Sequence, residues 1–298
     1  MKTILVIGAD GFVGSNVVRY FQNKHKIIAT FNKHIINYPG VSRFMFSLKD
    51  RDYIKRLVTL TKPEVIIYCA GLTDFMECAK RPQAAEAINT LGPVLLFGAA
   101  DAVVHRFIYL STAYVYDGKK GNFSEDDLVF PETQFAKGKL AGENYVRSKS
   151  SIYTIFRFSP IYGIGSIYHP SLFDKIRMKL ERGTRAELPE NETHSFLSMD
   201  IALKAIEWVI TQESKNATYN LGGLTKISLF EYGKLIAETL NFNPNLITPG
   251  QAQFQTDVDF SLNGSEIVTQ LDIDPLTLEQ GLNLLKKQLV CGLTSHTA

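Results

Sequence analysis

The 298-residue sequence predicts an α/β protein in which a doubly wound parallel sheet is joined to a smaller C-terminal α/β lobe. Three observations carry this expectation. Short apolar runs alternate with amphipathic segments at close intervals through the first half of the chain. One run, Val65-Ile66-Ile67-Tyr68-Cys69-Ala70, is apolar throughout, as a strand covered by helices on both faces must be. The first run, Ile4-Leu5-Val6-Ile7, ends in Gly8, Gly11 and Gly14, which reads as a buried strand turning sharply into a helix. Strands linked through helices in this way pair in parallel by right-handed crossovers, the Rossmann arrangement.

In the opening turn, Gly8 allows the tight bend, Gly11 lets a phosphate approach the backbone, and Gly14 lets helix 12–23 pack on the strand. Such a turn gathers backbone N–H groups and the positive end of a helix at one point, where a pyrophosphate is held. A dinucleotide is therefore expected there. Lys26–Phe31 reads as the second strand and 43–46 as the third. Asp50 caps a helix running through Ile54, Leu57, Val58 and Leu60 to Thr61, with Pro63 beyond its end. Residues 65–70 form the fourth strand, and Pro82 opens one long helix through Ala87, Ile88, Leu91, Leu95 and Ala99. A fifth strand, Phe107-Ile108-Tyr109-Leu110, ends at Ser111, and helix 135–148 precedes strand 153–158.

Beyond Pro160 the rhythm loosens. Gly163, Gly165 and Pro170 mark a loop, and helices 172–180, 199–211, 229–240 and 278–289, with segment 219–223, make the smaller lobe. Trp208 follows Ala205 and Ile201 at helical spacing and reads as core. The expected division is a dinucleotide-binding domain at 1–160 and a mainly substrate-binding lobe at 161–298, some of whose segments return to the first domain. Two lobes without a linker imply a cleft, and in open α/β sheets the ligand lies beyond the carboxyl ends of the strands.

Composition narrows the function. A 45% hydrophobic fraction supports a sizeable core, and a net charge of +2 with interspersed signs gives no reason to expect a nucleic-acid partner. Lys119-Lys120 reads as a solvated loop. No apolar run approaches the roughly 18 residues of a membrane span, and the run after Met1-Lys2 is too short for a signal peptide, so a cytoplasmic protein is expected. Cys69, Cys78 and Cys291 lack metal spacing and suggest no disulfide framework. His25, His34, His105, His169, His194 and His296 contain no i, i+4 pair, so no metal site is expected.

Several segments carry a resemblance. Gly8-x-x-Gly11-x-x-Gly14, Cys69-Ala70-Gly71, Ser111-Thr112-Ala113-Tyr114-Val115-Tyr116-Asp117-Gly118 and Lys137-Gly138-Lys139-Leu140-Ala141-Gly142-Glu143 resemble the extended short-chain dehydrogenases/reductases. Asp117-Gly118 and the Lys-x-Lys-Leu-Ala-Gly-Glu segment are most similar to dTDP-4-dehydrorhamnose reductases and their relatives. The resemblance implies that a Ser or Thr, a Tyr and a Lys do the chemistry, the last two on one face of a helix. Carried over, Thr112 bonds the substrate oxygen, and Lys139 holds the cofactor ribose and lowers the pKa of the phenol, which is near 10 when unperturbed. The tyrosine position is Phe135, whose ring has no proton to give.

Three readings of that departure stay open. The phenylalanine is a substitution introduced to trap a complex; or another donor serves, such as Tyr114, Tyr116 or a water held by Thr112; or the chain binds the cofactor in a regulatory or structural role without turnover. The first function expected is an NAD(P)-dependent oxidoreductase or epimerase acting on a nucleotide sugar. The alternative is a catalytically silent NADP(H)-binding protein.

The resemblance further implies cofactor contacts from Gly8, Asp10, Gly11, Phe12, Val13 and Gly14 at the turn, and from Asn32 and Lys33 after the second strand. Ser47 and Leu48 would lie near the adenine, in a position where relatives often carry an acid. Cys69, Ala70, Gly71, Ser111, Lys139, Phe158 and Pro160 complete the set. An acid about 20 residues past the glycine turn selects NAD, and Thr30-Phe31-Asn32-Lys33-His34 holds none, so NADP(H) is preferred, with Lys33 on the 2′-phosphate and NAD(H) still possible. A nucleotide-sugar substrate is implied, with Arg177, Lys179, Arg182 and Arg185 either near its nucleotide or simply solvated. Pro160 stands where rhamnose-pathway reductases commonly have Trp, and Arg157-x-x-Pro160-x-Tyr162-Gly163 is nearer to epimerases and dehydratases, so the sugar stays open. His169 and Cys78 read as surface or packing. A homodimer through helices 82–100 and 135–148 is also implied.

Overall fold

The computed structural model describes residues 1–290 except 46, 49, 101–105, 149–151, 213–215 and 272–275. Cys291, His105, His296 and the expected end of the third strand at Phe46 lie outside the described residues. In chain order the first part runs β1 (Thr3–Ile7), α1 (Phe12–Phe21), β2 (Lys26–Phe31), β3 (Ser42–Met45), α2 (Arg51–Thr61), β4 (Val65–Tyr68), α3 (Phe75–Lys80), α4 (Pro82–Glu86), a π-turn (Ala87–Leu91), α5 (Gly92–Ala100), β5 (Arg106–Thr112), α6 (Gln134–Arg147) and β6 (Tyr153–Phe158). There follow β7 (Ile161–Tyr162), α7 (Leu172–Glu181), β8 (Ala186–Leu188), β9 (Glu192–Ser195), β10 (Leu197–Ser198), α8 (Met199–Thr211), β11 (Ala217–Leu221), β12 (Lys226–Ser228), α9 (Leu229–Thr239), β13 (Ile247–Pro249), β14 (Val258–Asp259), α10 (Ser265–Leu271) and α11 (Leu278–Val290).

The apolar runs make a seven-stranded parallel sheet in the order β11-β6-β5-β4-β1-β2-β3. Alternate residues of each strand feed opposite layers. Ile4, Val6, Ile27, Ala29, Ile67, Ile108 and Phe156 pack with α1 and α8, whereas Leu5, Ile7, Ile28, Ile66, Tyr68, Phe107 and Ile155 pack with α2, α5 and α6. The chain winds outward from β1 to β3, then restarts at β4 on the other side of β1. That reversal puts the switch point of the sheet between β1 and β4. Asp50 caps α2 as its sequence predicts, accepting the Tyr53 N–H.

The single helix expected from Pro82 is instead two α-helical pieces around the π-turn. Pro93 has no N–H to offer the Asn89 carbonyl, and Gly92 N–H reaches back to Ala87 rather than Ile88. The carbonyls released are taken by side chains of the sheet: Tyr68 Oη donates to Ile88 O at 2.6 Å and Tyr109 Oη to Asn89 O at 3.1 Å. Segment 219–223, assigned from sequence to the smaller lobe, overlaps β11, the edge strand of the main sheet, where Tyr219 meets Phe156 and Trp208. The smaller layer gathers Phe173, Ile176, Tyr232, Ile236 and Leu282 from α7, α9 and α11. Its sheet β12-β9-β14 was not expected, because strands of two to four residues are too short to show a period.

Tyr109→Phe leaves the buried Asn89 carbonyl without its donor and should lower unfolding stability by about 1–3 kcal/mol. Urea denaturation checks this, as a lower midpoint at unchanged slope.

Candidate functional site

The strand register Ile7–Tyr68–Tyr109 brings Gly8, Cys69 and Leu110 into line at the carboxyl edge of the sheet. Gly8 sits at φ +82°, and a Cβ there would lie 2.9 Å from the Ala70 Cα, so only glycine fits between the ends of β1 and β4. No side chain caps α1 at Gly11, which leaves first-turn N–H groups of that helix for a ligand. The side chains of Phe12 and Val13 are partly buried and pack against the core. Asp10 is held from above: its carbonyl accepts the Ser166 hydroxyl at 2.6 Å, and its carboxylate lies 3.7 Å from His169 Nε2.

Lys139 lies on α6 with its Nζ buried at the same edge. It donates to Leu110 O at 2.9 Å and stands beside Gly71, where an added Cβ would be 3.5 Å away. Burial lowers its pKa to about 8. Burial likewise pushes the neighbouring Cys69 thiol up to about 12, so a neutral sulfur accompanies the amine. Among the described residues Leu110 O is the hydrogen-bond acceptor of Nζ, which leaves two of an ammonium's three N–H bonds unspent. Thr112 ends β5, and its Oγ1 accepts the Tyr114 N–H at 3.3 Å. Phe135, one helical turn before Lys139, is buried against Phe75, Tyr114, Cys78 and Ala85.

Beneath these residues runs a buried network. Ser111 Oγ donates to Glu143 Oε1 at 2.5 Å, Arg157 donates to Glu143 at 2.8 Å and to Tyr116 Oη at 2.7 Å, and Asn220 bonds Tyr116 Oη. It ties β5, α6, β6 and β11 together under the site. Two further features escaped sequence reasoning. Asn89 holds the loop after β4 through paired bonds to the Leu72 N–H and carbonyl, and the sign available was a polar residue beside Gly92-Pro93. Glu192 lies on a short strand with no pattern, yet it accepts from Tyr114 Oη at 2.5 Å and lies 2.8 Å from His194 Nε2.

Other expected residues fall less simply. Asn32 and Lys33 are exposed immediately past β2; Ser47 is exposed, and Leu48 packs under the sheet. Phe158 stacks on Phe156 in the core, and the Pro160 carbonyl is taken by the Leu197 N–H. Arg177 is paired with Asp174 and Glu181 on its own helix, whereas Lys179, Arg182 and Arg185 are exposed. Among the described residues no group of His, Cys, Asp and Glu could hold a metal, and no helix is long and apolar enough to cross a membrane. A cavity of about 910 Å³ along α2 and the edge of β3, lined by Phe44, Tyr53, Leu57 and Leu60, shares no residue with this edge.

A sequence profile of the family described as RmlD substrate binding domain matches residues 1–265. The chain is 24% identical to the probable low-salt glycan biosynthesis reductase Agl14 of Haloferax volcanii, over 94% of this chain and 96% of that protein. It is also 24% identical to methionine adenosyltransferase 2 subunit beta of Rattus norvegicus, over 83% of this chain and 75% of that one. Among solved structures, a hypothetical dTDP-4-dehydrorhamnose reductase from Sulfolobus tokodaii superposes with a TM-score of 0.81 at 25% identity, covering 94% of this chain and 99% of that one. UDP-glucose 4-epimerase of Thermus thermophilus, solved with NAD, gives 0.85 at 18% identity over 97% and 99%, a likeness of fold.

Lys139 supplies a pH signature. An unfolded lysine titrates near 10.5 and this folded one near 8, so between those values the unfolded chain holds a proton that the folded chain has released, and stability rises with pH. The full rise is about 3 kcal/mol, so Lys139→Met should abolish it and stabilise the protein at pH 7 by up to about that amount. Denaturation from pH 7 to 10.5 measures both effects.

Proposed function

The chain belongs to the RmlD substrate binding domain family, and on that premise we propose that it is a nicotinamide-dinucleotide-dependent oxidoreductase acting on a nucleotide sugar. The observation that carries the reading is Lys139: a buried amine with unspent N–H bonds, at the carboxyl edge of the sheet to which the uncapped end of α1 and Thr112 also belong. The reductase names of the Haloferax relative and of the Sulfolobus protein support the same class.

The residues present fit such a cofactor. The glycine turn and the first N–H groups of α1 would hold the diphosphate, Lys139 the ribose hydroxyls, and Asn32 and Lys33 the adenosine end. When bound, the dinucleotide supplies or accepts a hydride. Thr112 bonds the reacting oxygen of the substrate and fixes its distance from Lys139, whose charge favours negative charge developing on that oxygen. Gly71 leaves room beside the amine, and the centroid of the Tyr109 ring lies 5.1 Å from it. A preference for NADP(H) follows from Lys33 and the lack of an acid at 30–34. A keto sugar of the dTDP-4-dehydrorhamnose type, a homodimer through α4, α5 and α6, and a cytoplasmic location complete the reading.

A second reading has its own observation. Phe135 offers no proton, and one of the relatives is named as a subunit of another enzyme, so a cofactor-binding protein without turnover is the alternative. Reduced-nicotinamide consumption across dTDP- and UDP-linked 4-keto sugars separates the two: turnover supports the oxidoreductase, and tight cofactor binding with silence on every sugar supports the subunit. In titrations NADP⁺ should bind about tenfold or more tightly than NAD⁺, and Lys33→Ala should remove most of that gap. Equal or tighter binding of NAD⁺ rejects the assignment of Lys33.

A further inference from the structure

The hydroxyl groups of Tyr114 and Tyr116 are not equivalent. Tyr116 is wholly buried and its hydroxyl is fully engaged: it donates to Ser124 O at 2.8 Å and accepts from Arg157 and Asn220. Tyr114 is only partly buried. Its ring stands edge-on to Phe135, with centroids 6.4 Å apart, and its N–H bonds Thr112 Oγ1. The Tyr114 hydroxyl is part-buried and lies 2.5 Å from Glu192 Oε1 and 3.2 Å from His194 Nε2. Both partners are buried, His194 Nδ1 has no hydrogen-bond partner among the described residues, and Phe75 and Phe260 pack on the Tyr114 ring. With a carboxylate and an imidazole on the same oxygen, the phenol can either donate to Glu192 or accept from His194 Nε2–H. Burial and then the Glu192 charge hold the phenol protonated at rest.

We propose that Tyr114 takes the role that Phe135 cannot fill: its hydroxyl meets the reacting oxygen beside Thr112 and exchanges the proton, with Glu192 and His194 as positioning residues behind it. This rests on the oxidoreductase reading. In the working arrangement His194 Nε2–H donates to Tyr114 Oη while remaining near Glu192, which frees the phenolic hydrogen for the substrate. In reduction, the carbonyl carbon receives a hydride from the reduced nicotinamide and a C–H bond forms. The C=O π pair moves to oxygen, which takes the Tyr114 proton. The phenolate then recovers a proton from solvent through the cleft as the product leaves. One proton is taken up for each alcohol and oxidised nicotinamide produced.

The test pairs turnover with equilibrium binding of a dTDP-6-deoxyhexose bearing a 4-hydroxyl and of its 4-deoxy counterpart. Wild type should prefer the 4-hydroxy sugar about five- to tenfold, and Tyr114→Phe should lose that preference. On dTDP- and UDP-linked 4-keto sugars, Tyr114→Phe should lose about a hundredfold or more in kcat at unchanged cofactor affinity, and adding Phe135→Tyr should restore much of it. Glu192→Gln should lower kcat and leave KM unchanged. If Tyr114→Phe keeps both the preference and a kcat near wild type, the role of Tyr114 is overturned and the oxidoreductase reading stands. A wild type that binds neither sugar and turns over no dTDP- or UDP-linked 4-keto sugar overturns that reading and the inference with it. A preference lost in Tyr114→Phe without turnover in wild type overturns the proton transfer.

Discussion

The close seating of α6 against β5 and the π-turn is the constraint on which the site depends. A Cβ on Gly142 would collide with Tyr109 Oη and lie 3.1 Å from the Asn89 carbonyl, so the helix approaches the sheet at a distance that only glycine allows. That approach buries Lys139, aims its amine at Leu110 O, and sets Phe135 one turn earlier against Phe75 and Tyr114. The π-turn belongs to the same device. Pro93 releases the Asn89 carbonyl, Tyr109 captures it, and the Asn89 side chain is left to hold Leu72 next to Gly71.

Beneath the amine, the Glu143–Arg157 pair gives this edge its stiffness. Both side chains are almost wholly buried, and Arg157 spreads three of its nitrogens over Glu143 and Tyr116. A buried ion pair is weak evidence for net stability, because desolvation offsets much of its Coulomb energy, yet removing one partner strands a charge at about 3–5 kcal/mol. Its effect is geometric. It fixes the ends of β5 and β6 to α6, so that Ser111, Thr112 and Lys139 keep their spacing.

Much of this could be read from residue order because it depends on local pattern. Apolar runs gave the strands from β1 to β6, Asp50 marked the start of α2, and Gly8 marked the turn that the β1–β4 switch point requires. What could not be read depends on partners far away in sequence. Nothing near Ala217–Leu221 says that it pairs with β6, and nothing around Glu192 says that Tyr114, 78 residues earlier, will reach it. The π-turn was hidden for a different reason: Gly92-Pro93 lies in a run of good helix formers, and only the hydroxyls of Tyr68 and Tyr109 satisfy the carbonyls that the wider turn releases.

Lys139 and Phe135 pull the functional argument in opposite directions, and magnitudes decide between them. A phenylalanine at 135 sits comfortably among Phe75, Cys78 and Ala85 and satisfies packing whatever the chain does. Lys139 does not: an amine whose pKa falls to about 8 on burial destabilises the folded state by about 3 kcal/mol at neutral pH, and Met in its place would fill the space without that penalty. A penalty of that size is a large fraction of the marginal stability of a domain, typically about 5–15 kcal/mol. A ligand that takes up the unspent N–H bonds offsets it in binding free energy. The stability lost at Lys139 therefore argues for a site built to hold a polar ligand, whether or not a proton is then exchanged beside Phe135.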